Sequence, residues 1–271
     1  MLGKVLDWIV RLPTLTATAV VIGICIGLSI ITMAASHAAI PKKLRTEHND
    51  VAGFTLAVVG VVYAVLLAFI AVAIWENYDR AGNLVQVEAA LVGDLDRNTV
   101  GLPDPLSSAL RKEVTNYAET VVQLEWPALA GGEVLEGPGW ESLDRFHLLL
   151  AQDHTQDPGV ISAKSEILRR LNDLYDARRS RFQSAQAELP PILWWNLLAG
   201  AALVMIFCCF FGVPNIWMHG AMMAMLAGSM GLVLSLVLLL YNPFVGYNHV
   251  SAAPFNHLVT TLEARGGQAA Q

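Results

Sequence analysis

The stretch Val51-Ala-Gly-Phe-Thr-Leu-Ala-Val-Val-Gly-Val-Val-Tyr63-Ala-Val-Leu-Leu-Ala-Phe69-Ile-Ala-Val-Ala-Ile-Trp75 contains no charged side chain and is closed by charge on both sides, Asp50 before it and Glu76 after it. A helix needs about 20 apolar residues at about 1.5 Å of rise each to cross a bilayer, so this run is read as a membrane span. Equally charge-free runs lie between Arg11 and Lys42 and between Glu188 and Glu263. The latter is long enough for two spans and is interrupted by Gly212-Val213-Pro214-Asn215, where proline stops a helix and glycine permits a turn. Four spans are therefore expected, about 12–36, 51–75, 192–211 and 217–241, the last two as a tight hairpin.

Composition agrees. The 271 residues are 55% hydrophobic and 15% charged, with mean hydropathy +0.49, whereas soluble domains carry about 25% charged residues. A disordered chain, a collagen-like fibre and a secreted disulfide scaffold are excluded. The three cysteines, Cys25, Cys208 and Cys209, all fall in apolar runs and read as small buried residues. A formal net charge of −6 offers no general attraction to nucleic acid, and the partner that composition demands is a lipid bilayer.

The first span exceeds the apolar core of a signal peptide, and Met33 to Ala39 is a poor cleavage context, so it is read as uncleaved. Ahead of it, Lys4, Asp7 and Arg11 face away from Leu2, Leu6, Trp8 and Ile9, the pattern of an interfacial amphipathic helix or of a frayed terminus. Residues 76–190 carry nearly all the charge and read as helical. Leu84, Val87, Leu91 and Leu95 extend the second span's apolar stripe, so that helix is expected to continue until Gly101-Leu102-Pro103. Asp104-Pro105 opens a helix with Leu106, Leu110, Val114, Tyr117, Val121 and Leu124 on one face, ended by Trp126-Pro127. A glycine-rich loop over 131–139 and a short helix over 140–150 follow. Asp157-Pro158 starts a helix with Leu168, Leu171, Tyr175 and Phe182 on one face, which Pro190-Pro191 breaks. The expected fold is all-α, divided as 1–75, 76–190, 191–241 and a C-terminal tail over 242–271.

No catalytic signature is present: there is no His-Glu-x-x-His, no phosphate loop and no Gly-x-Ser-x-Gly. His147 and His154 lack a carboxylate or cysteine at ligand spacing, so no metal, cofactor or enzyme activity is expected. Among ionisable groups at membrane depth only His219 qualifies, and an interfacial histidine bonded to a neighbouring carbonyl is the simpler reading. Asn196 reads as interhelical glue. Small residues recur at i, i+4 as Gly23 and Gly27 in the first span and as Gly220, Ala224 and Gly228 in the fourth, marking close helix packing. In the second span Tyr63, Leu66, Phe69, Ile70, Ala73 and Ile74 precede Glu76 and Asn77. As a pore helix, this face would present apolar rings with a polar mouth; the same pattern describes an ordinary buried span, and composition alone favours that.

Residues Tyr63-Ala-Val-Leu-Leu-Ala-Phe69, Trp75-Glu76-Asn-Tyr-Asp79, Glu88, Leu95, Leu102-Pro103 and Glu125-Trp126-Pro127 resemble the bestrophin-like family of bacterial membrane proteins. So do Phe211-Gly212 with His219, and Pro243-Phe244-x-Gly246 with Val250-Ser251 and Phe255. The resemblance covers nearly the whole chain. It implies four spans with a helical cytosolic domain inserted between the second and third. It also implies a homo-oligomer, pentameric by analogy, whose second span lines a pore for small ions, chloride foremost. One departure is Asn242 with Tyr247-Asn248-His249, where more charge is expected. The charges themselves are uneven: residues 76–157 hold 15 acidic and 5 basic groups, residues 158–190 hold 4 acidic and 6 basic. The arginines at 169, 170, 178, 179 and 181 are therefore expected to pair with the acids. The rival to a channel is a non-conducting scaffold whose cytosolic helices bind a partner protein.

Lys4, Arg11, Arg80, Arg178, Arg179 and Arg181 outnumber Lys42, Lys43 and Arg45 across the membrane, so the termini and residues 76–190 are expected in the cytoplasm; the resemblance implies that the membrane is a bacterial inner membrane. In a cysteine-free background labelled in intact cells with an impermeant thiol reagent, a cysteine at His48 should react and one at Gly132 should not; the opposite pattern would invert the topology.

Overall fold

The structure, a computed structural model, describes residues 2–39, 49–135, 137–186 and 189–269. These form ten α-helices and one π-helical turn, with no strand among the described residues. Among the described residues four helices are long and apolar enough to cross a membrane. Lys42, Lys43, Arg45 and His48 lie outside the described residues.

One unit comprises residues 1–77, 188–241 and 246–248. It contains α1 (Leu2–Val10), α2 (Thr14–Ala39), the first part of α3 (Asn49–Thr99), α8 (Pro191–Cys208) and α9 (Ile216–Leu240). The amphipathic N-terminus is a helix that buries Ile9 and Val10 but leaves Trp8 exposed. Helix α9 starts where Asn215 accepts the Trp217 N–H at 2.9 Å, an N-cap directly after the glycine-proline break. Helices α2 and α9 approach closely at Gly231, where a Cβ would stand 3.0 Å from the Ile22 Cα. Gly220 and Gly228 of the expected stripe make ordinary contacts, with Met33 and Ile30 and with Ile26 and Ile22 respectively, and Ala224 is half-buried. Gly23 and Gly27 face open space in this chain.

The second unit comprises residues 78–187, 242–245 and 249–271. It holds the rest of α3, α4 (Leu106–Thr120), a π turn (Val121–Glu125), α5 (Trp126–Ala130), α6 (Gly137–Gln152), α7 (Pro158–Gln186) and α10 (Ala253–Ala269). From the C-terminal stretch, Phe244, Val250, Phe255 and Leu262 sit in this unit's apolar core. Asp157 caps α7, accepting the Gly159 and Val160 N–H groups at 2.7 and 3.2 Å. Asp96, almost fully buried, accepts from Arg111 at 3.1 Å and Arg265 at 2.9 Å, joining α3, α4 and α10.

Two expected faces are shifted, and one expected helix end is passed. Helix α3 runs unbroken to Thr99, but its buried stripe is Ala81, Val85, Glu88, Ala89, Val92 and Leu95, while Val87 is exposed. Trp126-Pro127 does not end the helical run either. In the π turn the Trp126 N–H bonds the Val121 carbonyl, five residues back, and Pro127 then falls in the first turn of α5, where its missing N–H costs little. The extra residue also rotates the face, so that Glu125 is buried and Leu124, expected inward, is half-exposed.

Replacing Gly231 by leucine should force α2 and α9 apart and destabilise the protein by about 1–3 kcal/mol, the usual cost of overpacking. Thermal unfolding in detergent measures it, with Gly23→Ala as the control expected to leave the midpoint unchanged.

Candidate functional site

The second span presents two faces. Tyr63, Leu67, Ile70 and Ile74, spaced at three and four residues, are buried in a cluster with Leu197, Val204, Met230 and Val237. The Tyr63 hydroxyl donates to the Leu197 carbonyl at 2.9 Å, and its ring lies so close to Gly200 that no side chain fits there. On the opposite face Phe54, Val58, Val62, Val65, Phe69 and Val72 are exposed, Phe69 at 71%. The eight residues expected along a pore are therefore divided. Tyr63, Ile70 and Ile74 are committed to packing inside the chain, Leu66 and Asn77 are half-buried, and Phe69, Ala73 and Glu76 lie on the open face. Arg80 follows Glu76 by one turn and is also exposed.

The second unit contains a site that the sequence reading anticipated only as charge pairing. Arg178 and Arg181 on α7, Glu88 on α3, Glu125 on the π turn and Tyr117 on α4 are all fully buried. Arg181 donates to Glu88 through Nε at 2.6 Å and Nη2 at 3.1 Å, and through Nη2 to Glu125 at 2.8 Å. Arg178 grips Glu125 with both terminal nitrogens, at 2.7 and 3.0 Å. The Tyr117 hydroxyl donates to Glu88 and accepts from Arg178 at 3.3 Å. The Phe182 ring lies 4.7 Å from each guanidinium, with Tyr117 and Trp140 over Arg178 and Trp126 over Arg181. Gly139 completes the enclosure, because a Cβ there would stand 2.6 Å from both Arg178 terminal nitrogens.

Two carboxylates and two guanidiniums make the cluster neutral. Burial alone would push the Glu125 carboxyl up, but hydrogen bonds from Arg178 and the charges of Arg181 and Arg178 outweigh it and hold the carboxyl below the ordinary range. Burial likewise opposes the charge on Arg181, and the charge and hydrogen bonds of Glu88, with the charge of Glu125, help to outweigh it, so the guanidinium stays protonated. Burial and the Glu88 charge push the Tyr117 phenol up, keeping it a donor. Such a cluster is inert as acid or base at neutral pH and serves to fix three helices and the π turn. The remaining arginines of α7 pair at the surface, Arg169 and Arg170 with Glu166 and Arg179 with Asp176. His219, as read from the sequence, bonds a nearby carbonyl, that of Cys208, and it also meets His37.

Removing one partner of a buried pair leaves an uncompensated charge, so Arg181→Met should destabilise the protein by about 3–5 kcal/mol. Because the folded-state pKa of Glu125 is depressed, its stabilisation is complete above the unfolded carboxylate pKa and disappears as pH falls through the lower folded value. Denaturant unfolding followed by tryptophan fluorescence should therefore show an acid-range decline in stability that is shallower in Glu125→Gln.

The Bestrophin-like domain family matches residues 23–255. No curated protein matches the chain. Among solved structures, the crystal structure of a mutant of a bacterial Bestrophin homologue from Klebsiella pneumoniae is similar with TM-score 0.67 at 15% identity, covering 91% of this chain and 99% of that one. Another variant of that homologue gives TM-score 0.63 at 14% identity over 93% and 96%, and a structure described as a membrane protein gives 0.65 at 14% over 92% and 98%. At such identities the likeness speaks for the fold. The family match, running from within the first span to the start of the last helix, carries more: the chain belongs to the Bestrophin-like family.

Proposed function

We propose that this chain assembles as a homo-oligomeric ion channel in which the open face of the second span lines the pore. The observation that supports the reading is the division of that span into a face packed against α8 and α9 and an opposite apolar face left open along its length. Membership of the Bestrophin-like family supports it further. On that basis the pore face is Phe69, Ala73 and Glu76, flanked by Leu66 and Asn77, while Tyr63, Ile70 and Ile74 hold the span in place. A ring of Phe69 side chains forms an apolar constriction that resists wetting whatever ion passes.

Chloride as the permeant ion, and a pentameric ring, rest on the resemblance. At the mouth Glu76 repels anions and Arg80, one turn further, attracts them. Residues 76–190 form the cytosolic part, and the membrane is the bacterial inner membrane with both termini cytoplasmic. The rival scaffold function has no specific feature in its favour.

Planar-bilayer recording of the purified protein tests the proposal. Wild type should conduct, Phe69→Ala should raise conductance or open probability, and Glu76→Gln should shift the permeability ratio towards anions. Ile70→Val, on the packed face, should leave conductance unchanged. Silence in every variant, with assembly confirmed by size, would rule out a channel.

A further inference from the structure

Helix α1 divides its circumference in three. Ile9 and Val10 are buried with Ala17 and Val21 of α2 and Leu238 and Leu239 of α9, and Leu6 packs on the same cluster; spaced at three and four residues, they form one face. Asp7 and, just past the helix, Arg11 are four apart and exposed on the far side. Between these two faces, Val5 and Trp8, three residues apart, are large apolar side chains left exposed.

Two exposed hydrophobes alone say little, but their level in the fold says more. Ala17 lies in the first turn of α2, and Leu238 and Leu239 in the last turn of α9. Trp194, in the first turn of α8, packs on the same cluster with its ring 5.8 Å from that of Tyr241. Helix α1 is therefore set against the ends of three spans, at the level where tryptophan and tyrosine mark the lipid–water boundary. Leu15, in the first turn of α2, is almost wholly exposed, so the open apolar surface of α1 is followed by that of a span.

The end of α1 is also tied down. The carbonyl of Val10, its last residue, accepts the Tyr247 N–H at 3.0 Å. Gly246, at φ +86°, lies so close that a Cβ there would stand 2.6 Å from the same carbonyl oxygen. Thr14 Oγ1 donates to Asn248 Oδ1 at 2.6 Å. A helix end in water takes its missing hydrogen bonds from solvent, whereas one set against hydrocarbon needs donors from the chain.

We propose that α1 lies in the lipid–water boundary of the bilayer, with Val5 and Trp8 seated among phospholipid chains and headgroups and with Asp7 and Arg11 turned to water. An apolar flank beside a charged face is the pattern of a helix lying in the membrane plane, and an indole carries both an apolar body and a donor for the headgroup region. The turn over residues 246–248 holds the helix at that depth. The contact is independent of whether the protein conducts.

Full-length protein carrying Cys25→Ala, Cys208→Ala and Cys209→Ala, with Val5→Cys, Trp8→Cys or Asp7→Cys added singly, is spin-labelled and reconstituted in vesicles of phosphatidylethanolamine and phosphatidylglycerol. Paramagnetic resonance saturation then compares collisions with oxygen, which concentrates in the bilayer, and with a water-soluble nickel chelate. Labels at 5 and 8 should meet oxygen and be shielded from nickel, and the label at 7 should show the reverse. Nickel access at 5 and 8 equal to that at 7 would place the helix in water. Shielding from both reagents would mean that a second copy or another segment covers this face. Either result overturns the proposal. Without any label, phospholipids brominated high on the acyl chain should quench a smaller share of the tryptophan emission in Trp8→Phe than in wild type, and an unchanged share would also overturn it.

Discussion

Two arginines and two glutamates taken wholly out of water constrain the second unit more than any apolar contact does. An unpaired charge in that interior would cost several kcal/mol, so each guanidinium must meet a carboxylate and each carboxylate must find enough donors. That requirement accounts for features that otherwise look unrelated. The π turn rotates Glu125 inward to reach both arginines, α3 carries Glu88 in the middle of its buried stripe, and position 139 has no room for a side chain. Phe182, Tyr117, Trp126 and Trp140 line the guanidiniums with ring faces, which attract cations while excluding water. Apolar burial supplies the bulk of the cohesion here, and the charge cluster selects which arrangement of these helices is satisfied.

The first unit obeys a different constraint. In hydrocarbon every backbone group must be paired within its own helix, and helices gain little by hiding apolar side chains from apolar lipid, so packing depends on close approach. Gly231 permits it between α2 and α9, and Gly200 makes room for the Tyr63 ring between α3 and α8. The hairpin turn is tied to the start of α3 by Asn49, which donates to the Gly212 carbonyl at 3.1 Å and accepts the Gly212 N–H at 2.9 Å. These contacts use up one side of the second span and leave the other for lipid, a neighbouring copy or water.

The four spans, the long continuation of the second and the starts of several helices could all be read from residue order. Each depends on a local cause: absence of charge over a bilayer's width, an Asp-Pro start, a Gly-Pro stop. Errors arose where a side chain's direction depended on a residue far away in sequence. That the arginines of α7 pair with acids is legible in the charge pattern, but not which acids they meet: Arg181 reaches Glu88 and Glu125 from 93 and 56 residues away. Gly231 was missed for the same reason, since its partner Ile22 belongs to another span.

Sequence by itself thus determined that this is an all-helical membrane protein with four spans and a highly charged helical region, because hydrophobic length and charge placement act along one helix at a time. Only the tertiary structure decided which residues of the second span are packed and which are open, which two of α7's arginines are buried, and that His37 meets His219. Those outcomes depend on which helix lies beside which, and the register of one helix against another is set by contacts between residues that no local pattern connects.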